Sequence, residues 1–196
     1  CLLIEVFKME QKLPTKRHDV YDKQVQKLVI AHMEKNQAVP EQRRRKSRRL
    51  GQPASQSGEE FLQALAFVCH VRLQRRDFSW GAPEVQEEMQ RIWGVQEPSL
   101  AQMGETLLDS TIGLLSTVAA GQYRFSHLTI QEYLAAAFIV RTHGSNARDI
   151  LNALTPLHSR WKREVSQFVA CMLRTSSFEM FCKFVLEEND EGGAHC

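Results

Sequence analysis

Between residues 129 and 142 the apolar side chains fall at Ile130, Tyr133, Leu134, Ala137 and Phe138, spacings of three and four that place them on one side of an α-helix. Thr129 and Glu132 predict a capping box at its start, the hydroxyl accepting from a first-turn amide and the carboxylate reaching back to the cap's own N–H. His143 and Gly144 end it. A helix with one apolar side needs partners, and the chain supplies several. Tyr21, Val25, Leu28, Val29 and His32 predict a helix over 15–35, after the break at Leu13 and Pro14. Ser57 and Glu60 predict a second capping box, with Phe61, Leu65, Val68, Cys69 and Arg72 on the inner face that follows. Pro83 suits a first helical position, giving a helix to Trp93 with Gly94 as its stop, and Ser99 with Gln102 starts another. Beyond Asn146, Trp161, Val165, Phe168, Val169 and Met172 line one helix. Ser176 with Glu179 caps a last one carrying Phe178, Phe181, Cys182 and Val185, and the polar tail from Glu187 is expected to fray.

With 196 residues, 43% apolar and 24% charged, the chain has material for a packed core and not the composition of a disordered one. Its longest uninterrupted apolar run, 134–140, is far short of the ~20 residues a membrane-spanning helix needs, so no membrane role is expected. Cys1 in place of Met, with no basic stretch and cleavage signal behind it, suggests an internal piece of a longer chain. The five cysteines form no Cys-x-x-Cys pair and are odd in number, which points to reduced thiols and a cytoplasmic setting.

Extended structure is expected in one place. Residues 114–118 and 122–126 flank Ala119, Ala120 and Gly121 as a hairpin, with Tyr123 and Phe125 alternating onto one side. Residues 36–57 lack apolar period and are punctuated by Pro40, Gly51 and Pro53. Within them Arg43, Arg44, Arg45, Lys46, Arg48 and Arg49 concentrate six of the 25 bases, leaving the remainder mildly acidic. The plain reading of that run is a solvated insertion. A localisation signal, an anionic-ligand patch, or a kinase target at Ser47 are the functional ones.

Three helices, a hairpin and a further helix over 57–142 follow the element order of a winged helix, a unit that often reads DNA. The charges argue against DNA. Residues 99–110 hold Glu105 and Asp109 without a base, and 83–93 hold Glu84, Glu87 and Glu88 against Arg91 alone, whereas duplex binding draws its affinity from cations on phosphates. The expected fold is therefore mainly α: helical bundle segments flanking a winged-helix domain with one small antiparallel β-hairpin.

The run Tyr123-Arg124-Phe125-Ser126-His127-Leu128-Thr129-Ile130-Gln131-Glu132-Tyr133-Leu134-Ala135-Ala136 closely resembles the end of the winged helix in NACHT proteins, the signal-transducing ATPases that include the Nod-like receptors. Leu13-Pro14-Thr15-Lys16-Arg17 with Tyr21 and Val25 is similar to the pattern closing that family's first helical domain, and Ile112-Gly113-Leu114-Leu115 to its approach to the hairpin. The resemblance divides the chain into the end of a first helical domain (1–36), a basic flexible loop (37–57), a winged helix (58–142), and the start of a second helical domain with a tail (143–196). It implies a nucleotide-sensing, autoinhibitory part of a switch in signal transduction or innate-immune-like sensing. Its partners would be the upstream nucleotide-binding domain of the same chain and, on activation, further copies of itself. His127 stands where the family's histidine approaches the phosphates of ADP, so ADP or ATP is the expected cofactor of the full-length protein, with none bound by these residues alone. The residues are compatible with that role, since His127 ends a strand just before a helix N-terminus, which favours anions. The plain alternative is a structural histidine at a strand end.

No Gly-x-x-x-x-Gly-Lys-Ser/Thr run occurs, so the phosphate cradle and its lysine are missing and the chain by itself is not expected to hydrolyse ATP. His18, His32, His70, His143, His158 and His195 show no paired helical spacing of metal ligands. Cys69 shares an inner face with Phe61 and Leu65 and reads as core. No Gly-x-Ser-x-Gly elbow is present. The alternative function is an interaction module that binds nucleic acid through the basic loop.

Overall fold

The computed structural model describes residues 18–23, 25, 54–79, 81–93, 114–144, 146–157 and 159–192. It is mostly helical, with a three-stranded antiparallel sheet at one end. Among the described residues no helix is long and apolar enough to cross a membrane. The predicted helix over 99–110 and the basic run lie outside the described residues, as do Leu28, Val29 and His32. Residues 18–23 and 25 are helical as expected, with Val20 and Val25 buried.

Helix α1 (Ala54–Phe67) runs directly into a π-helical turn (Val68–Arg72). Because α1 already begins at Ala54, Ser57 lies inside the helix and not at its start. Phe61, Leu62, Leu65, Val68 and Cys69 are fully buried, and the wider π turn then advances the register so that Arg72, expected on the inner face, points outward to Glu88. The Leu73 amide closes the turn on the Val68 carbonyl (2.9 Å), and Gln74, at φ 52°, reverses the chain. Strand β1 (Asp77–Phe78) follows, and helix α2 (Pro83–Trp93) buries Val85 and Met89 one turn apart.

Strands β2 (Leu115–Ala119) and β3 (Gln122–Phe125) form the expected hairpin, with Gly121 supplying φ 71° in the turn. The register breaks between Thr117 and Ala119, so Val118 is the extra residue of a bulge. Composition did not foretell the third strand: β1 pairs with the free side of β3, Phe78 opposite Tyr123 and Asp77 opposite Arg124, whose guanidinium holds the Asp77 carboxylate at 3.2 Å. Tyr123 and Phe125 do share a side, both rings lying about 6 Å from that of Phe78 (6.2 and 6.1 Å).

Helix α3 (Leu128–His143) is the centre of the molecule. It begins at Leu128, so Thr129 is its second residue and not its cap. Nor is it one-sided: nine of its 16 residues are buried, including Gln131, Glu132, Ala135 and Ala136, because α1 packs on one flank and α5 on another. Phe67 of α1 stacks on Phe138 at 4.8 Å. Gly144, at φ 57°, ends the helix with its amide on the Val140 carbonyl.

Helix α4 (Ala147–Leu154) is capped by Asn146, whose side-chain oxygen accepts from the amides of Arg148 and Asp149. Helix α5 (Arg163–Met172) buries Val165, Phe168 and Val169. Helix α6 (Thr175–Gly192) packs on α4, with the Arg148 guanidinium 4.2 Å from the centre of the Phe184 ring. Three expectations fail here. Ser176 is already inside the helix, Phe178 is 40% exposed, and the helix continues through the expected frayed tail to Gly192. One apolar core joins all these parts, from Val25 through Phe61, Phe125, Leu134 and Leu151 to Phe181.

Candidate functional site

The sheet and α3 together place His127. Strand β3 delivers the chain to this point, and the Ser126 amide bonds back to the Leu114 carbonyl at 2.8 Å, anchoring the strand end. His127 is extended (φ −128°, ψ 128°) and occupies the N-cap, its carbonyl accepting from the Ile130 and Gln131 amides at 3.1 and 3.3 Å. Its side chain makes no capping bond and is exposed. The first amides of α3 thus lack a side-chain cap, and no acidic residue stands in the first turn to offset the positive end of the helix dipole. An imidazole beside such an end can donate to an anion held in front of it.

The two polar residues that follow in the same motif turn inward. Gln131 is fully buried and its amide nitrogen donates to the Arg75 carbonyl at 3.3 Å, tying α3 to the exit of the π turn. Glu132, expected to fold back onto the cap, is also buried, its Oε1 4.0 Å from Nε2 of His70. The sequence reading missed this pair, although a carboxylate on the most apolar helix of the chain was the available signal. His70 is 1% exposed and lies edge-on to Trp161 at 5.2 Å. Burial pushes its imidazole down to about 4, and the Trp161 backbone opposes that push without completing a hydrogen bond. Lys162, beside Trp161, is buried too and donates to the Thr155 carbonyl; burial lowers its pKa, with the charge of Arg72 adding to the effect.

No family model, curated protein or solved structure matches the chain. Cys69 sits in the core as expected, and burial pushes its thiol up to about 12, the wrong direction for a nucleophile at neutral pH. Among the described residues no three His, Cys, Asp or Glu side chains group as metal ligands. At the sheet end of α3 the exposed His127 imidazole stands at a helix N-terminus without a side-chain cap.

Proposed function

We propose that this chain is the regulatory part of a NACHT-type nucleotide switch, in which His127 contacts the phosphates of ADP held by an upstream nucleotide-binding domain of the same protein. The observation that carries this reading is the exposed imidazole at an uncapped N-terminus of α3, directly behind the hairpin. The elements around it are compatible with the same reading: α1, β1, α2 and the β2–β3 hairpin, with β1 added to β3, supply parts of a winged helix, while the helix expected to start at Ser99 lies outside the described residues. In this scheme the winged helix holds the closed, ADP-bound form and moves as a body when ATP replaces ADP, permitting self-association. The chain's part in this scheme is to contact the nucleotide rather than to hydrolyse it. The odd number of cysteines, with no Cys-x-x-Cys pair, supports a cytoplasmic setting.

The nucleic-acid reading fares less well at α2, whose exposed face carries Glu87 and whose nearby cations are taken up by acids, Arg75 by Glu84 at 2.9 Å and Arg91 by Glu88 at 2.7 Å. Measurement of ADP release from the protein carrying its upstream nucleotide-binding domain tests the proposal. A charge-assisted hydrogen bond contributes about 1.5–3 kcal/mol, so His127→Ala should speed release roughly ten- to hundredfold and raise basal oligomerisation. The melting temperature should stay put, since the side chain is exposed. Release unchanged by the substitution would falsify the role given to His127.

A further inference from the structure

A cation partly withdrawn from water needs an acid, another acceptor or solvent at its N–H groups. Three of the described arginines are half-buried, Arg75, Arg76 and Arg124, and the fold treats them unequally. Arg75 reaches Glu84 of α2 at 2.9 Å, and Arg124 of β3 reaches Asp77 at 3.2 Å. Arg76 has no such counterpart. Among the described residues its guanidinium makes no hydrogen bond, ion pair or ring contact, and its Nε is shut off from solvent without an acceptor. The other described arginines lie at the surface, where water serves them.

The place of Arg76 is fixed from both sides. The Arg75 carbonyl accepts from the buried Gln131 side chain on the first turn of α3 at 3.3 Å, and Asp77 lies opposite Arg124, three residues before His127. Because β1 runs antiparallel to β3, the step back from Asp77 to Arg76 matches the step forward from Arg124 to Phe125, toward Ser126 and His127. Arg76 thus sits beside the strand-to-helix junction that carries the exposed imidazole, on backbone tied to β3 at one end and to α3 at the other.

A guanidinium keeps its charge throughout the working pH range, and its planar fork matches two oxygens of a phosphate. One already stripped of part of its water gives up less hydration when an anion arrives and meets it in a medium that screens the attraction less. We propose that Arg76 is a second phosphate contact beside His127, its guanidinium donating to an oxygen of the ADP diphosphate, an assignment that rests on the nucleotide reading above and adds to it a permanent positive charge.

Nucleotide binding to the protein carrying its upstream nucleotide-binding domain tests the assignment. Arg76→Gln should speed ADP release about ten- to hundredfold, and Arg76→Lys less, since the charge stays and the fork is lost. Adenosine, which has no phosphate, should bind Arg76→Gln as it binds the parent. The nucleotide-free melting temperature should equal or exceed the parent's, because an unmatched half-buried charge has been removed. Release unchanged in Arg76→Gln but faster in His127→Ala overturns the role of Arg76 and leaves the nucleotide reading standing; release unchanged in both removes the two together. Faster release in Arg76→Gln alone supports the guanidinium contact and removes the one given to His127. Adenosine binding weakened as much as ADP binding, or a nucleotide-free protein melting well below the parent, makes Arg76 a support of the fold and overturns the phosphate contact.

Discussion

His70 shows how much of this chain's behaviour turns on single side chains whose surroundings the primary structure conceals. A histidine 1% exposed, with its imidazole driven down to about 4, is neutral in the fold and titrates near 6.5 once unfolded. The unfolded chain therefore binds the extra proton first, and the stability owed to His70 is present above about pH 6.5 and lost progressively toward pH 4. The loss amounts to at most roughly 3 kcal/mol, on a ~1.4 kcal/mol per unit conversion. Urea unfolding at pH 7 and pH 4.5 measures it, and a buried apolar replacement such as His70→Leu should flatten the difference; an equally steep acid loss in that variant would assign the effect to other groups. Sequence inspection places His70 beside Cys69 on a helix, yet not in the core, because its burial depends on Glu132 and Trp161, which lie 62 and 91 positions further along the chain.

Helix α3 sets the tolerances of the elements around it. Ala135 and Ala136 are fully buried where α1 and α5 close upon it, so small side chains there fix how near the three helices come. Ala136→Leu should cost about 1–3 kcal/mol through overpacking, read as a lower urea midpoint with an unchanged slope. Periodicity makes this helix legible and also understates it. A repeat at three and four positions reveals one packed side, and a helix enclosed by two others buries the remaining sides with alanines outside that repeat and with a glutamine and a glutamate that no apolar count includes. The hairpin is legible for a complementary reason: alternation at Tyr123 and Phe125 and a glycine at the left-handed turn position are local signals. Strand β1, two residues long, carries no period at all and exists only because β3 offers it an edge. The capping boxes at Ser57, Thr129 and Ser176 misplace helix starts by a residue or more, since each helix begins upstream of the residue that could have capped it. His127, by contrast, is both visible in the motif and placed at an exposed strand-to-helix junction.

The whole molecule shares one core, and that has consequences for how it comes apart. Phe168 and Val169 of α5 and Ile150, Leu151 and Leu154 of α4 belong to the same apolar cluster as Phe61, Phe125 and Leu134, so the residues expected to begin a second helical domain help to hold the first set together. A chain ended at Gly144 would leave the α5-facing side of α3 in water, and it should lose its cooperative thermal transition or melt far below the parent. Circular dichroism on the two lengths decides this, and equal melting temperatures would show that the two halves are stable separately. Cys69 lies at the middle of that shared interior while Cys171 stands on the outer side of α5 and Cys182 half-covered on α6. An alkylating reagent should therefore label exposed Cys171 well before Cys69 and reach Cys69 only through transient opening, which turns an inert sulfur into the protein's own clock for how often its centre meets water.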